Sequence, residues 1–121
     1  MTKGDVQAFV RSVHAHAQDF GDAVMLHWLD ELEQKVACEI YDQIPEEGVT
    51  EPGTDDVLSV PTPYNKIYWI YLLAMMELVR GACENYEFIN GIFKEAWGDY
   101  ARFVQRLCGS GKQGKKGGET V

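Results

Sequence analysis

Ten consecutive apolar residues, Ile67 to Met76 in IYWIYLLAMM, sit between Lys66 and Glu77 in an otherwise acidic chain of 121 residues. The run is about half of the ~20 residues that a bilayer span needs, so it has to pack against protein. Placed on a helix, it separates into two faces. One face, with Tyr64, Ile67, Tyr68, Tyr71, Leu72, Met75, Leu78 and Val79, is broad and apolar and suits burial against two neighbouring helices. The other carries Asn65, Lys66, Glu77 and Arg80, which belong in water, yet Trp69, Leu73 and Met76 lie among them with Ile70 at the edge. Burying each such side chain is worth about 1.5–3 kcal/mol, and left in water together they make an adhesive patch. Either the first helix or the long loop folds over them, or another subunit does. With few residues left over for cover, the balance favours a second subunit, and Trp69, Ile70, Leu73 and Met76 are the candidate subunit interface.

The rest of the chain reads as helices around this one. Asp5 can cap a first helix through Val6, Phe9, Val10 and Val13 that weakens at HAHAQDFGD. A second begins near Asp22, with Met25, Leu29, Leu32, Val36 and Ile40 on one stripe, and stops before Pro45. Thr62 as N-cap and Pro63 at the first helical position start the third, which ends near Arg80 with Gly81 as its stop. The fourth runs from Cys83 or Glu84 to Cys108, with Tyr86, Ile89, Phe93, Trp97, Tyr100, Val104 and Leu107 on one stripe. The expected fold class is all-α: a small bundle of about four helices, two long ones at the C-terminal end, in one domain over residues 1–108.

Residues 43–62 form a connection of about 20 residues, long for a compact domain and often functional when present. Pro45, Gly48, Pro52 and Gly53 break it, and the segment DVLSV suits a short extended pairing edge. Its acids, Glu46, Glu47, Glu51, Asp55 and Asp56, are the candidate partner-contact loop. After Cys108 the Gly- and Lys-rich segment GSGKQGKKGGETV reads as a flexible tail.

Lys and Arg number 11 against 19 Asp and Glu, a formal charge of −8, which disfavours generic nucleic-acid binding. The charge is uneven: residues 1–108 hold 8 basic and 18 acidic side chains, residues 109–121 hold 3 and 1. Three cysteines without close pairing, Cys38, Cys83 and Cys108, point to a reducing compartment. The stretch MTKGDVQAFVRSV sustains no apolar core of a signal peptide, so a cytosolic product is expected. His14 and His16, two apart, make a poor chelating pair on a helix, and His27 is alone. There is no phosphate loop, nucleophile elbow or Ser/His/Asp pattern. The expectation is a non-enzymatic protein with no catalytic, metal or cofactor-binding residues.

The segments HWLDELEQKVACEI and LSVPTPYNKIYWIYLLAMMELVRGACENYEFINGIFKEAWGDYARFVQR resemble the small head-tail connector, or head-completion adaptor, proteins of tailed bacteriophages and prophages. The resemblance covers roughly residues 22–106. It is carried by Trp28, Leu29 and Leu32, by the VPTPY helix start, and by Ile67 and Tyr68. Tyr86 seven residues before Phe93, and the closing Trp97 and Tyr100, complete it. It implies a helical structural protein that assembles as a homo-oligomeric ring beneath the portal protein, meets a tail or second adaptor protein, and lets DNA pass without sequence-specific binding. It further implies a place in the virion after assembly in the bacterial cytoplasm. Ile70 and Leu73 stand where relatives often carry polar residues. The alternative is a small soluble helical binding or regulatory module that receives a partner helix on its apolar face.

Overall fold

The structure, a computed structural model, describes residues 1–43 and 53–111, with side chains to Cys108. Four helices follow in order: α1 Lys3–Val13, α2 Asp22–Glu39, α3 Lys66–Arg80 and α4 Cys83–Gly111, with a 3-10 turn Ala15–Asp19 between the first two. The described chain is an all-α bundle. α3, the apolar helix, packs against each of the other three, the outcome its composition demands, since a helix apolar all round has to be surrounded. Ile67, Tyr68, Leu72 and Met76 of α3 are buried in one core with Met25, Leu29, Leu32 and Val36 of α2, Val6 and Val10 of α1, and Phe93, Ala96 and Tyr100 of α4.

α1 starts one turn earlier than the Asp5 cap predicts. Thr2 is the N-cap: its hydroxyl accepts from Asp5 N–H at 3.2 Å, and the Asp5 carboxylate accepts from Thr2 N–H at 2.9 Å, a reciprocal capping box with Asp5 at its third position. The reversal after α1 is strapped down by side chains. Arg11 donates to the carbonyls of Ala17 at 2.9 Å and Phe20 at 3.1 Å, and Gln7 donates to Asp22 O at 3.1 Å. Arg11 thus gives the Phe20 carbonyl a donor and adds a second to Ala17 O, which also accepts from Phe20 N–H at 3.2 Å.

α3 also begins later than Thr62. Residues 62–65 form a turn in which Tyr64 N–H donates to Pro61 O, and Thr62 Oγ1 accepts from Asn65 Nδ2 at 3.2 Å. The Thr62–Pro63 bond is cis. At the other end Gly81, at φ 80°, takes the left-handed C-cap that only glycine adopts freely. α4 then returns alongside α3 and continues to Gly111, three residues past the sequence-based end. Leu78 and Val79, expected in the core, are exposed in the last turn of α3 beside this reversal, and Leu107, expected on the core stripe of α4, is 56% exposed.

The described part of the long connection is tied to the amino-terminal residues. Thr2 and Val57 form an isolated antiparallel bridge, Leu58 N–H donates to Met1 O at 2.9 Å, and Gly4 N–H donates to Thr54 O at 3.0 Å. The extended edge expected in DVLSV is thus a single bridge, with no strand among the described residues. A Cβ on Gly4 would stand 3.1 Å from Thr54 O, so the approach relies on glycine.

Glu33 of α2 organises the next stretch. One carboxylate oxygen accepts from Tyr68 OH at 2.6 Å and the other from Ser59 N–H at 2.6 Å, while Tyr68 OH accepts from Val60 N–H at 3.0 Å. Burial first, then the Glu33 carboxylate, push the Tyr68 hydroxyl far above its ordinary range, so it stays a donor. Tyr68→Phe leaves Val60 N–H and a Glu33 oxygen without partners. It is expected to cost about 1–3 kcal/mol, read as a lower calorimetric Tm with an unchanged far-UV spectrum at low temperature. An unaltered Tm would mean the network does not hold the connection.

Candidate functional site

Two places stand out from the packed bundle: a charged cluster at the junction of α1, α3 and α4, and an outer strip of α4 beside it.

Glu77 is the centre of the cluster. The helical wheel assigns it to a solvated face, yet it is only 3% exposed. Arg80 Nη1 donates to both carboxylate oxygens, at 2.9 and 3.0 Å, and Asn85 Nδ2 donates to Oε1 at 2.9 Å. His14 Nε2 lies 3.2 Å from Oε2, and His14 Nδ1 accepts from His16 N–H at 3.1 Å. That second bond fixes the tautomer: neutral His14 carries its proton on Nε2 and donates it to Glu77. Burial alone would raise the Glu77 pKa; the hydrogen bonds from Asn85 and Arg80, with the Arg80 charge, outweigh it and hold the carboxyl below its ordinary value. One carboxylate thereby joins the end of α1 to the α3–α4 hairpin.

A cleft of about 440 Å³ opens over this cluster, lined by His14, His16, Arg80, Asn85, Phe88 and Ile89 with Glu77 at its base. The two imidazoles meet edge to face at 5.7 Å, brought together by the 3-10 turn. Among the described residues no three His, Cys, Asp or Glu side chains converge as a metal site requires. The carboxylate is saturated by its own neighbours, which suits it to tying helices together.

Of the candidate interface residues, Met76 is wholly buried within the chain and is unavailable to another subunit. Trp69, Ile70 and Leu73 are half-buried and pack on the core. α1 supplies part of the cover of Trp69: its Phe9 ring lies 5.0 Å from the Trp69 ring. The argument for a second subunit from uncovered α3 side chains therefore loses Met76, while Trp69, Ile70 and Leu73 stay partly exposed. Exposed apolar side chains lie elsewhere. Phe88 is 72% exposed, Val13 57% and Ile92 44%, and Phe88 and Ile92, four apart, share one stripe of α4.

Glu46, Glu47 and Glu51 of the candidate contact loop lie outside the described residues. Asp55 is exposed, and Asp56 has a structural task. It accepts from Lys3 Nζ at 3.0 Å, while Asp30 of α2 accepts from the same ammonium at 3.1 Å. Lys3 is 3% exposed, so this cation is buried between two carboxylates. The Gly53 N–H bond to Asp56, followed by the Lys3 contact, lowers the Asp56 pKa.

No family model, curated protein or solved structure matches the chain. No helix among the described residues is long and apolar enough to cross a membrane.

Glu77→Ala leaves Arg80, Asn85 and His14 without their acceptor and is expected to cost about 1–3 kcal/mol. Because the folded-state carboxyl titrates below its ordinary value of 4.5, its contribution is complete at neutral pH and is lost as pH falls through the lowered value. The Tm gap between wild type and variant should be full near about pH 7 and shrink below about pH 4. A gap that widened in acid would contradict the charged cluster. Trp69→Asp puts a carboxylate under Phe9 and should lower Tm, whereas Phe88→Asp, on an exposed side chain, should leave Tm within about 0.5 kcal/mol equivalents of wild type.

Proposed function

We propose that the chain is a structural assembly protein of a tailed bacteriophage or prophage, a head-tail connector that forms a homo-oligomeric ring at the portal vertex and extends the DNA channel. The observation that carries the reading is the outer face of α4, where Phe88 and Ile92 stand in water on a well-packed helical bundle. Exposed apolar side chains edged by charge are the usual makings of an interface. The resemblance over residues 22–106 supplies the kind of assembly. The acidic body, with 18 acidic against 8 basic side chains over residues 1–108, suits a channel through which DNA slides without adhering.

In this reading the protein is not an enzyme and needs no cofactor. Its partners are further copies of itself, the portal protein, and a tail or second adaptor protein; it is made in the bacterial cytoplasm and resides in the virion. Contact between subunits runs through α4 and the adjoining α1 surface, with Trp69, Ile70 and Leu73 as the supporting layer and Met76 excluded.

The open cleft beside Phe88 favours a second reading, a binding module that receives a partner's helix there. The two separate on assembly. A connector should give closed rings of one size by negative-stain microscopy, either alone at high micromolar concentration or when mixed with the portal encoded beside it. A strict monomer under both conditions, or a gene with no virion genes around it, would reject the connector.

A further inference from the structure

α4 is more than a partner for α3. At 1.5 Å per residue its 29 residues extend roughly 43 Å, against roughly 22 Å for the 15 of α3. The excess lies at the C-terminal end. The last aromatic contacts there are Phe103 against Tyr64, rings 4.7 Å apart, and Phe103 against Tyr100 at 6.2 Å. Past Val104, Gln105 to Cys108 are all exposed. The helix end therefore projects beyond the bundle, and it carries Leu107 into water with Arg102 and Arg106 beside it.

The other end of the same helix has the opposite character. Glu84, Phe88, Ile92 and Glu95 are spaced 4, 4 and 3 residues apart, one exposed stripe on the outside of α4. Glu84, Glu87 and Glu95 make no ion pair among the described residues, and neither does Arg106, whereas Arg102 is paired with Asp99 of its own helix. One half of α4 is thus an acid-edged apolar strip, and the other a projecting, arginine-edged apolar end.

We infer that these two surfaces are made for each other in different copies: the projecting end of α4 in one subunit docks on the Phe88–Ile92 strip of the next. Leu107 meets the apolar pair Phe88 and Ile92, and Arg106, with Arg102 one turn before it, faces the glutamate edge of the strip. The alternative, a two-fold antiparallel pair of α4 helices, is disfavoured by register. Setting Glu84 opposite Arg106 also sets Glu95 opposite the same glutamate of the other copy, and like charges face each other. Head-to-tail docking avoids this, uses both surfaces of every subunit, and either closes into a ring or propagates. The inference rests on the reading that the chain self-assembles, and it names the surfaces that do so.

Charge reversal tests it on the full chain. In sedimentation velocity over a concentration series, the wild type should form species larger than a dimer, weakened by added salt. E84K/E95K and R102E/R106E should each weaken self-association at least tenfold while keeping the far-UV spectrum. Mixed in equal amounts they should assemble again, because each reversed strip then meets a reversed end. If the wild type assembles and both variants assemble as it does, the docking surfaces are wrong and the self-assembly reading stands. A wild type that stops at a dimer overturns the head-to-tail geometry, and one that stays monomeric at every concentration overturns the docking inference and leaves the connector reading to the mixture with the portal.

Discussion

A helix with ten apolar residues in succession has no face to offer to water, and the architecture answers that constraint. α3 sits in the middle, α1 and α2 pack on it, and α4 returns along it from Gly81. The burial of Tyr68, Leu72 and Met76 depends on all three neighbours arriving. Two joints are held by bonds that helical packing alone does not supply: the end of α1 through the Arg11 strap, and the connection into α3 through Glu33. Apolar burial supplies the drive, and a few polar contacts fix which surface of each helix meets α3.

Those contacts share a design. Lys3 and Glu77 are withdrawn from water, Glu33 is partly so, and each is bonded to groups from segments far apart in the chain. A buried charge with one partner removed is costly, so Lys3 and Glu77 act as checks on correct docking. Lys3 requires Asp30 and Asp56 to be in place. Glu77 requires His14, Arg80 and Asn85. The aromatic belt does a similar task with softer tolerances. Tyr41 OH shares a 2.6 Å hydrogen bond with Tyr100 OH, and Tyr64 stacks on Phe103.

How much of this was legible in the sequence divides along physical lines. The 3.6-residue stripe of α2 gave its four buried residues, and Gly81 marked the end of α3 because only a left-handed cap suits the chain there. The aromatic spacing of α4 gave Phe93 and Tyr100. What periodicity hid were the features decided by distant partners. Glu77 and Lys3 look like solvated charges until His14, Asn85, Asp30 and Asp56 arrive from elsewhere. Trp69 and Met76 look uncovered on a helical wheel because the wheel does not show distant neighbours such as Phe9, whose ring lies 5.0 Å from the indole. Phe88 and Ile92 sit at helical spacing in the sequence, but their exposure on the outer face of α4 shows only once the neighbouring helices are in place.

The three indoles mark three different joints. Trp28 lies beside Phe20 where the 3-10 turn meets α2, Trp69 beneath Phe9 where α1 meets α3, and Trp97 beside Phe93 with the Lys35 ammonium 5.7 Å above its ring where α2 meets α4. Because each fluorophore reports a separate seam, chains keeping one tryptophan at a time would resolve the order in which the helices come apart, as three emission signals from a single small protein.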